Sequence, residues 1–271
     1  VRRLVHLSDL HFGRDRPELA EPLIAAVNAL APDLVAISGD LTQRARLSQF
    51  RAARRFIDRL QAPALAVPGN HDVPLHNLLF RLVWPWRHYR RWISRDLEPQ
   101  YRDDEMIVLG VNTVNILAHQ SGWFTPRALA RVQRIFDTAQ SGQARIVVAH
   151  HPLEQLQGER KKPMRGAAAA LEALAQRKTD VILTGHLHNW QAAPFAEKPG
   201  RNSVLQVQAG TGLSSRKRGT DNDFNLLEID GTAIGVTRYA ILREALDFVP
   251  VETRRFVMDA AGWKAAEPSL G

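Results

Sequence analysis

Five short groups of polar side chains punctuate the 271-residue chain: Asp9-Leu10-His11, Gly39-Asp40, Gly69-Asn70-His71-Asp72, His150-His151 and Gly185-His186-Leu187-His188. Their donor atoms are carboxylate and amide oxygens and imidazole nitrogens, with no sulfur. Such donors suit manganese, iron, zinc or cobalt without choosing among them. They suffice for two divalent cations sharing a carboxylate, and a close pair of cations is a device for displacing groups at phosphorus. Asp9 and His11 are spaced by two, as are His186 and His188. Residues two apart in an extended segment point the same way, so each pair can reach one small volume. Asp40 follows a glycine, where a close turn is needed, and Asn70 offers a neutral carbonyl oxygen. Each fragment alone is a weak signal, because Asp-x-His and Gly-Asp recur by chance. Their serial order in a chain with ten histidines is the strong one. Lone histidines such as His6 and His119 read as core or surface residues.

Separate elements must bring these groups together. Apolar runs predict strands over 3–8, 33–38 and 64–67, and helical spacing fills 17–31 and 48–60 between them. Each of these strands ends on a polar motif, which is where open α/β sheets bind ligands. Further strands are expected over 106–111, 146–149 and 181–184, with helices over 126–139 and 165–177. The last two of those strands run into His150-His151 and Gly185-His186. From 190 onward strands follow one another without helices (190–196, 203–209, 224–229, 233–242). The pattern predicts a βα half joined to a mostly antiparallel half around one core. One large domain is expected over 1–250, with a helical Trp/Arg insertion at about 74–105. A tail over 251–271 follows, with one more strand at 254–258 before a frayed end.

Bulk properties narrow the classes. Hydrophobic residues make up 45% of the chain, enough for a sizeable core. With 36 basic and 28 acidic residues the net charge is +8, which favours anionic partners. Cysteine is absent, so disulfides and thiolate zinc sites are excluded. No run of 18 apolar residues predicts a membrane-spanning helix. The first residues lead directly into a strand and carry no signal-peptide core. The chain starts without methionine, which leaves room for an upstream segment. Together these predict a cytoplasmic protein, either free or peripheral to a membrane.

The series Asp9-x-His11, Gly39-Asp40, Gly69-Asn70-His71-Asp72, His150 and Gly185-His186-x-His188 resembles the calcineurin-like metallophosphoesterase superfamily over about residues 4 to 190. In style it is similar to class III cyclic-nucleotide phosphodiesterases and their bacterial relatives. The resemblance implies an α/β fold, a four-layer α/β/β/α sandwich of two mixed sheets with flanking helices. It implies two divalent metals: Asp9, His11 and His188 on the first, Asn70, His150 and His186 on the second, and Asp40 bridging them. His150 is preferred to His151 because relatives commonly show His-x-Pro after this strand. It also implies a hydroxide bridging the metals that attacks phosphorus. His71 would face the substrate as a catalytic residue, with Asp72 either orienting it or acting only as a turn residue.

Two further segments bear on the substrate. Phe80-Arg81-Leu82-Val83-Trp84-Pro85-Trp86-Arg87-His88-Tyr89-Arg90-Arg91-Trp92 reads as a helix with tryptophans inward and arginines outward. Alternatively it is a lid, a homodimer contact, or a surface for anionic lipid through Trp84, Trp86 and Arg90. The basic stretch 210–219 is either a hairpin turn or a means of bringing Arg216 and Arg218 over the mouth of the site as substrate-binding cations. It lacks the spacing of a P-loop. The leading expectation is a phosphodiesterase acting on a cyclic nucleotide or similar small anionic phosphodiester. The alternatives are a hydrolase of lipid-linked or nucleotide-sugar pyrophosphates of the UDP-diacylglucosamine type, a phosphomonoesterase, or a noncatalytic metal-binding scaffold. Nucleic acid is disfavoured as a partner, since no long extra segment for gripping a duplex is present.

Overall fold

Alternation along the first strand sets the layering. In a computed structural model of the chain, which describes residues 1–75, 77–154, 163–195, 203–215, 221–242 and 246–266, β1 spans Arg2–Leu7. Leu4 points into a core between two sheets, whereas Val5 and Leu7 point to a helical layer. In chain order there follow α1 (Ala20–Ala29), β2 (Leu34–Ile37), α2 (Leu47–Ile57), β3 (Ala64–Ala66), α3 (Leu78–Val83), α4 (Arg87–Trp92), β4 (Gln100–Arg102) and β5 (Met106–Val111). Then come α5 (Pro126–Phe136), β6 (Ala144–Ala149), α6 (Ala167–Gln176), β7 (Val181–Thr184), β8 (Gln191–Phe195) and β9 (Val204–Gln208). The last strands are β10 (Asp223–Asp230), β11 (Ala233–Leu242), β12 (Asp247–Asp259) and β13 (Gly262–Ala265).

One sheet has the order β13-β12-β11-β10-β1-β2-β3 and the other β4-β5-β6-β7-β9-β8. β1, β2 and β3 are parallel, and β1 pairs antiparallel with β10. β5, β6, β7 and β9 are parallel, with antiparallel β4 and β8 at the edges. Leu4, Leu34 and Leu65 of the first sheet meet Val108, Ile146 and Val181 of the second. The outer face of the first sheet packs on α1 and α2 through Leu23, Val27, Phe50 and Phe56. That of the second packs on α5 and α6 through Val132, Phe136, Leu171 and Leu174. The expected four-layer sandwich of two mixed sheets is therefore borne out.

One boundary differs from the sequence reading. The expected tail at 251 is corrected: β12 runs unbroken through that point, paired with β11 and then with β13. Pro250 pairs with Tyr239 beside a register shift, and such an irregularity lets a strand absorb a proline. The Trp/Arg insertion contains α3, α4 and the short edge strand β4. Tyr89 is fully buried and donates its hydroxyl to the Ala66 carbonyl at 2.9 Å, which docks α4 against the end of β3. Trp86 and Trp92 pack against the same core, while Trp84 is 53% exposed. The sequence left the facing of these aromatics open, and the structure divides them. No helix among the described residues is long and apolar enough to cross a membrane.

Candidate metal centre

The carboxyl ends of β1, β2, β3, β6 and β7 deliver the polar motifs to one place. The loops after β1 and β2 run side by side: Asp9, His11 and Phe12 donate their backbone N–H groups to the carbonyls of Gly39, Asp40 and Leu41 at 2.9–3.1 Å. Asp9 and His11 converge as expected, whereas His186 and His188 join different groups of donors, and neither arrangement comes from strand alternation. These residues lie beyond the strand ends with φ of 52°, 49°, 72° and 59°, and Asp40 has φ 51°. The left-handed conformation disfavours L-residues by roughly 1–2 kcal/mol each. Here it turns the donors toward the site, while Leu10 and Leu187 between them are buried. Gly69 and Gly185 permit the close approach. A Cβ on Gly69 would collide with Asp40 Oδ1, and one on Gly185 with Ser8 Oγ and Asp9 Oδ2.

Each carboxylate is held by one oxygen and presents the other. Asp9 Oδ2 accepts from Ser8 Oγ at 2.6 Å and from the His186 N–H at 3.0 Å. Asp9 Oδ1 is buried and takes no hydrogen bond, although His188 Nε2 lies 3.0 Å and His11 Nε2 3.4 Å away. Asp40 Oδ1 accepts from the His71 N–H at 2.8 Å, and Asp40 Oδ2 sits 3.6 Å from His11 Nε2 and 3.4 Å from His150 Nε2. His150 donates Nδ1–H to the Ser38 carbonyl at 2.8 Å, which turns Nε2 toward Asn70 Oδ1 at 3.1 Å. His11 and His188 bring their Nε2 atoms within 3.2 Å of each other. Two imidazole lone pairs facing a buried carboxylate oxygen repel unless a proton or cation lies between them. The donor atoms fall into overlapping groups: Asp9, His11 and His188; His11, Asp40 and His71; Asp9, Asp40 and His150; and His150, His151 and His186. Within each group the atoms lie within 4.8 Å of one another. The residues present therefore fit divalent metal binding, with Asp40 common to two groups.

The field in the site is strongly coupled. Burial acts to raise Asp9, but the imidazoles of His188 and His11 outweigh it and hold this carboxyl well below its usual range. Asp40 is likewise held low, chiefly by His150 against the opposing effect of burial. Burial lowers His150, yet Asp40 raises it to about 9.

His151 belongs to the last of those groups by position, but its ring is committed elsewhere. Its Nδ1 meets Thr113 Oγ1 at 2.8 Å and its Nε2 meets the Gln120 carbonyl at 3.1 Å, so both ring nitrogens are engaged. Burial, with His150 and His186 nearby, pushes its pKa well down. Of the two roles expected for Asp72, its contacts are those of the turn residue. Its carboxylate accepts from the N–H groups of Gly69, Leu41 and Thr42 and from Thr42 Oγ1, at 2.8–3.2 Å, which stitches the loops after β2 and β3 together. Burial, with Asp40 nearby, raises its pKa to about 6. The His71 ring is instead oriented by Gln43, whose carbonyl accepts from Nδ1 at 2.8 Å. Sequence reasoning missed Ser8, Ser38, Gln43 and Thr113. Ser8 and Ser38 directly precede two of the motifs, the only signal they carry. Arg216 and Arg218 lie outside the described residues. The start of their loop runs against the loop after β1, with the Gly212 N–H donating to the Ser8 carbonyl and the Ser215 N–H to the Arg14 carbonyl, both at 2.9 Å.

The chain belongs to the calcineurin-like phosphoesterase family, whose model matches residues 2–190. It is 24% identical over 203 residues to a probable cyclic nucleotide phosphodiesterase of Vesicomyosocius okutanii subsp. Calyptogena okutanii (strain HA), covering 71% of this chain and 80% of the relative. It is 27% identical over 206 residues to the glycerophosphodiester phosphodiesterase GpdQ of Enterobacter lignolyticus (strain SCF1), covering 69% and 70%. Among solved structures, the purple acid phosphatase PPD1 of yellow lupin (Lupinus luteus) superposes with a TM-score of 0.74 at 14% identity. That match covers 96% of this chain and 54% of the lupin chain, and it shows the shared fold. The protein is a metal-dependent phosphoester hydrolase by family.

Proposed function

We propose that the protein is a phosphodiesterase with two divalent cations, acting on a cyclic nucleotide or another small anionic phosphodiester. The observation that carries this reading is the pair of carboxylates with one oxygen locked and the other presented. Asp9 Oδ1 has no hydrogen bond, and Asp40 Oδ2 lies between His11 and His150. Asp9, His11 and His188 would hold one cation and Asn70, His150 and His186 the other, with Asp40 within reach of both. Bound there, the cations supply Lewis acidity and an activated water for attack at phosphorus. The His71 ring, with Nδ1 tied to Gln43, directs Nε2 to the reacting phosphoryl group. There it stabilises developing charge or protonates the leaving oxygen. The names of the relatives, one acting on cyclic nucleotides and one on glycerophosphodiesters, support a diester substrate.

The test is a substrate panel with manganese-loaded protein: cAMP, cGMP, glycerophosphodiesters, UDP-diacylglucosamine and phosphomonoesters. Diesters are expected to turn over at least about tenfold faster than monoesters in kcat/KM. A preference for monoesters or for the pyrophosphate overturns the diesterase reading.

A further inference from the structure

The usual sorting of side chains is reversed on α3. Leu78, Leu79, Leu82 and Val83 are 69%, 72%, 55% and 51% exposed, and Trp84 follows at 53%. At 100° per residue the four aliphatic positions share one arc, with Phe80 and Arg81 on the opposite side, and Trp84 beyond the helix end lies with its ring 6.0 Å from that of Phe80. Phe80 stacks on His88 of α4 with ring centroids 5.6 Å apart, and His88 lies 6.2 Å from the ring of Phe50 in the core. Arg81, only 5% exposed, donates Nε and Nη2 to the carbonyls of Ile116 and Ala118 at 2.6 and 2.7 Å, and Nη1 to the Pro74 carbonyl at 3.1 Å. Those bonds hold the loop carrying Leu117, itself 80% exposed, beside α3. Two chain segments thus form one fastened apolar ledge. Contiguous exposed apolar surface of this kind marks an interaction site more often than scattered leucines do.

Charge selects the occupant. Residues 78–95 contain five arginines and no acidic residue. Arg87, Arg90, Arg91 and Arg95 are exposed. A symmetric contact between two copies would set this basic surface against itself. An anionic bilayer matches it, accepting leucine and tryptophan at the acyl boundary and guanidinium groups among the phosphates. The ledge also borders the metal centre. The same 113–122 loop supplies Thr113 and the Gln120 carbonyl that fix His151 and carries the exposed His119.

We propose that the α3 ledge docks the protein on an anionic membrane surface with the metal centre beside the contact. The proposal does not depend on which phosphoester is cleaved. The test is co-sedimentation with phosphatidylcholine vesicles, with and without phosphatidylglycerol, at fixed salt. Wild-type protein is expected to partition about tenfold or more in favour of the anionic vesicles. Leu79→Glu/Leu82→Glu should lose that preference by about tenfold, as should Leu117→Glu from the second segment. Arg87→Glu/Arg91→Glu should lose it as well, while bis-p-nitrophenyl phosphate turnover by the leucine variants stays at the wild-type rate. Equal binding to both vesicle types, or unchanged binding by the leucine variants, overturns the proposal. So does a wild-type dimer in sedimentation velocity that Leu79→Glu/Leu82→Glu converts to monomer, because the ledge is then a contact between copies. Vesicle binding without hydrolysis of any diester supports docking and counts only against the diesterase reading.

Discussion

The metal centre and the α3 ledge break the ordinary sorting of side chains in opposite directions. In the first, Asp9, His11, Asp40 and His150 are at most 1% exposed, although ionisable groups seldom bury without partners. In the second, leucines and a tryptophan stand in solvent. Local structure enforces both departures. Left-handed residues and the Ser8, Ser38 and Gln43 contacts aim the polar donors inward, and Arg81 ties the apolar loop to its helix. On the two proposals above, each region is built around something supplied from outside the chain. Cations would neutralise the convergent lone pairs, and a partner surface would cover the leucines.

The largest expected effect breaks the first half of the contrast. Asp40→Ala should reduce bis-p-nitrophenyl phosphate hydrolysis on the order of a thousandfold or more and lower the metal content measured by mass spectrometry. A variant as active as wild type would remove the basis for a shared carboxylate. The next effect tests the ledge. Arg81→Met leaves three carbonyls without their donor, and should lower stability by about 2 kcal/mol in urea titration. It should also speed proteolysis near 115–118. An unchanged midpoint and cleavage pattern would mean the loop holds without its clamp.

The smallest effect sharpens the contrast with a buried carboxyl outside both regions. Asp180 accepts from the Arg145 N–H at 2.7 Å and from Trp263 Nε1 at 3.2 Å, and burial raises its pKa to about 6. With no imidazole acting on it, the shift is opposite to that of Asp9 and Asp40. Because the folded-state value lies above the usual 3.8, the stability linked to its protonation is full below about pH 4 and is lost as pH rises through about 6. Asp180→Asn should flatten this slope between pH 4 and 7. Denaturant midpoints that fall equally in both proteins would assign the slope to another group.

Much of the fold was legible because apolar runs and helical spacing survive in the strands and helices that face the cores. β4 was not, since Gln100, Tyr101 and Arg102 show no apolar pattern and pair only through their backbones with β5. The motif residues gather at one site as the sequence led one to expect. The left-handed turns were hidden, because they fall on Asp and His, where no glycine flags them. Asp72 looked like a partner for adjacent His71, and only the folded loops reveal that backbone groups from two segments occupy its oxygens. Arg81 was counted with the outward arginines. Its burial depends on carbonyls from 116 and 118, more than thirty residues along the chain.

The place of β1 within its sheet has a consequence for synthesis. Leu4 pairs with Leu34 on one side and with Leu227 on the other. β1 thus gains its second neighbour only after more than two hundred further residues have been translated. Until then one edge carries unpaired backbone groups and invites wrong pairing. The Asp9 loop beyond it also waits for residues 186 and 188. Closing so long a loop is slow, so the nascent chain is most exposed to aggregation in the interval before β10 arrives.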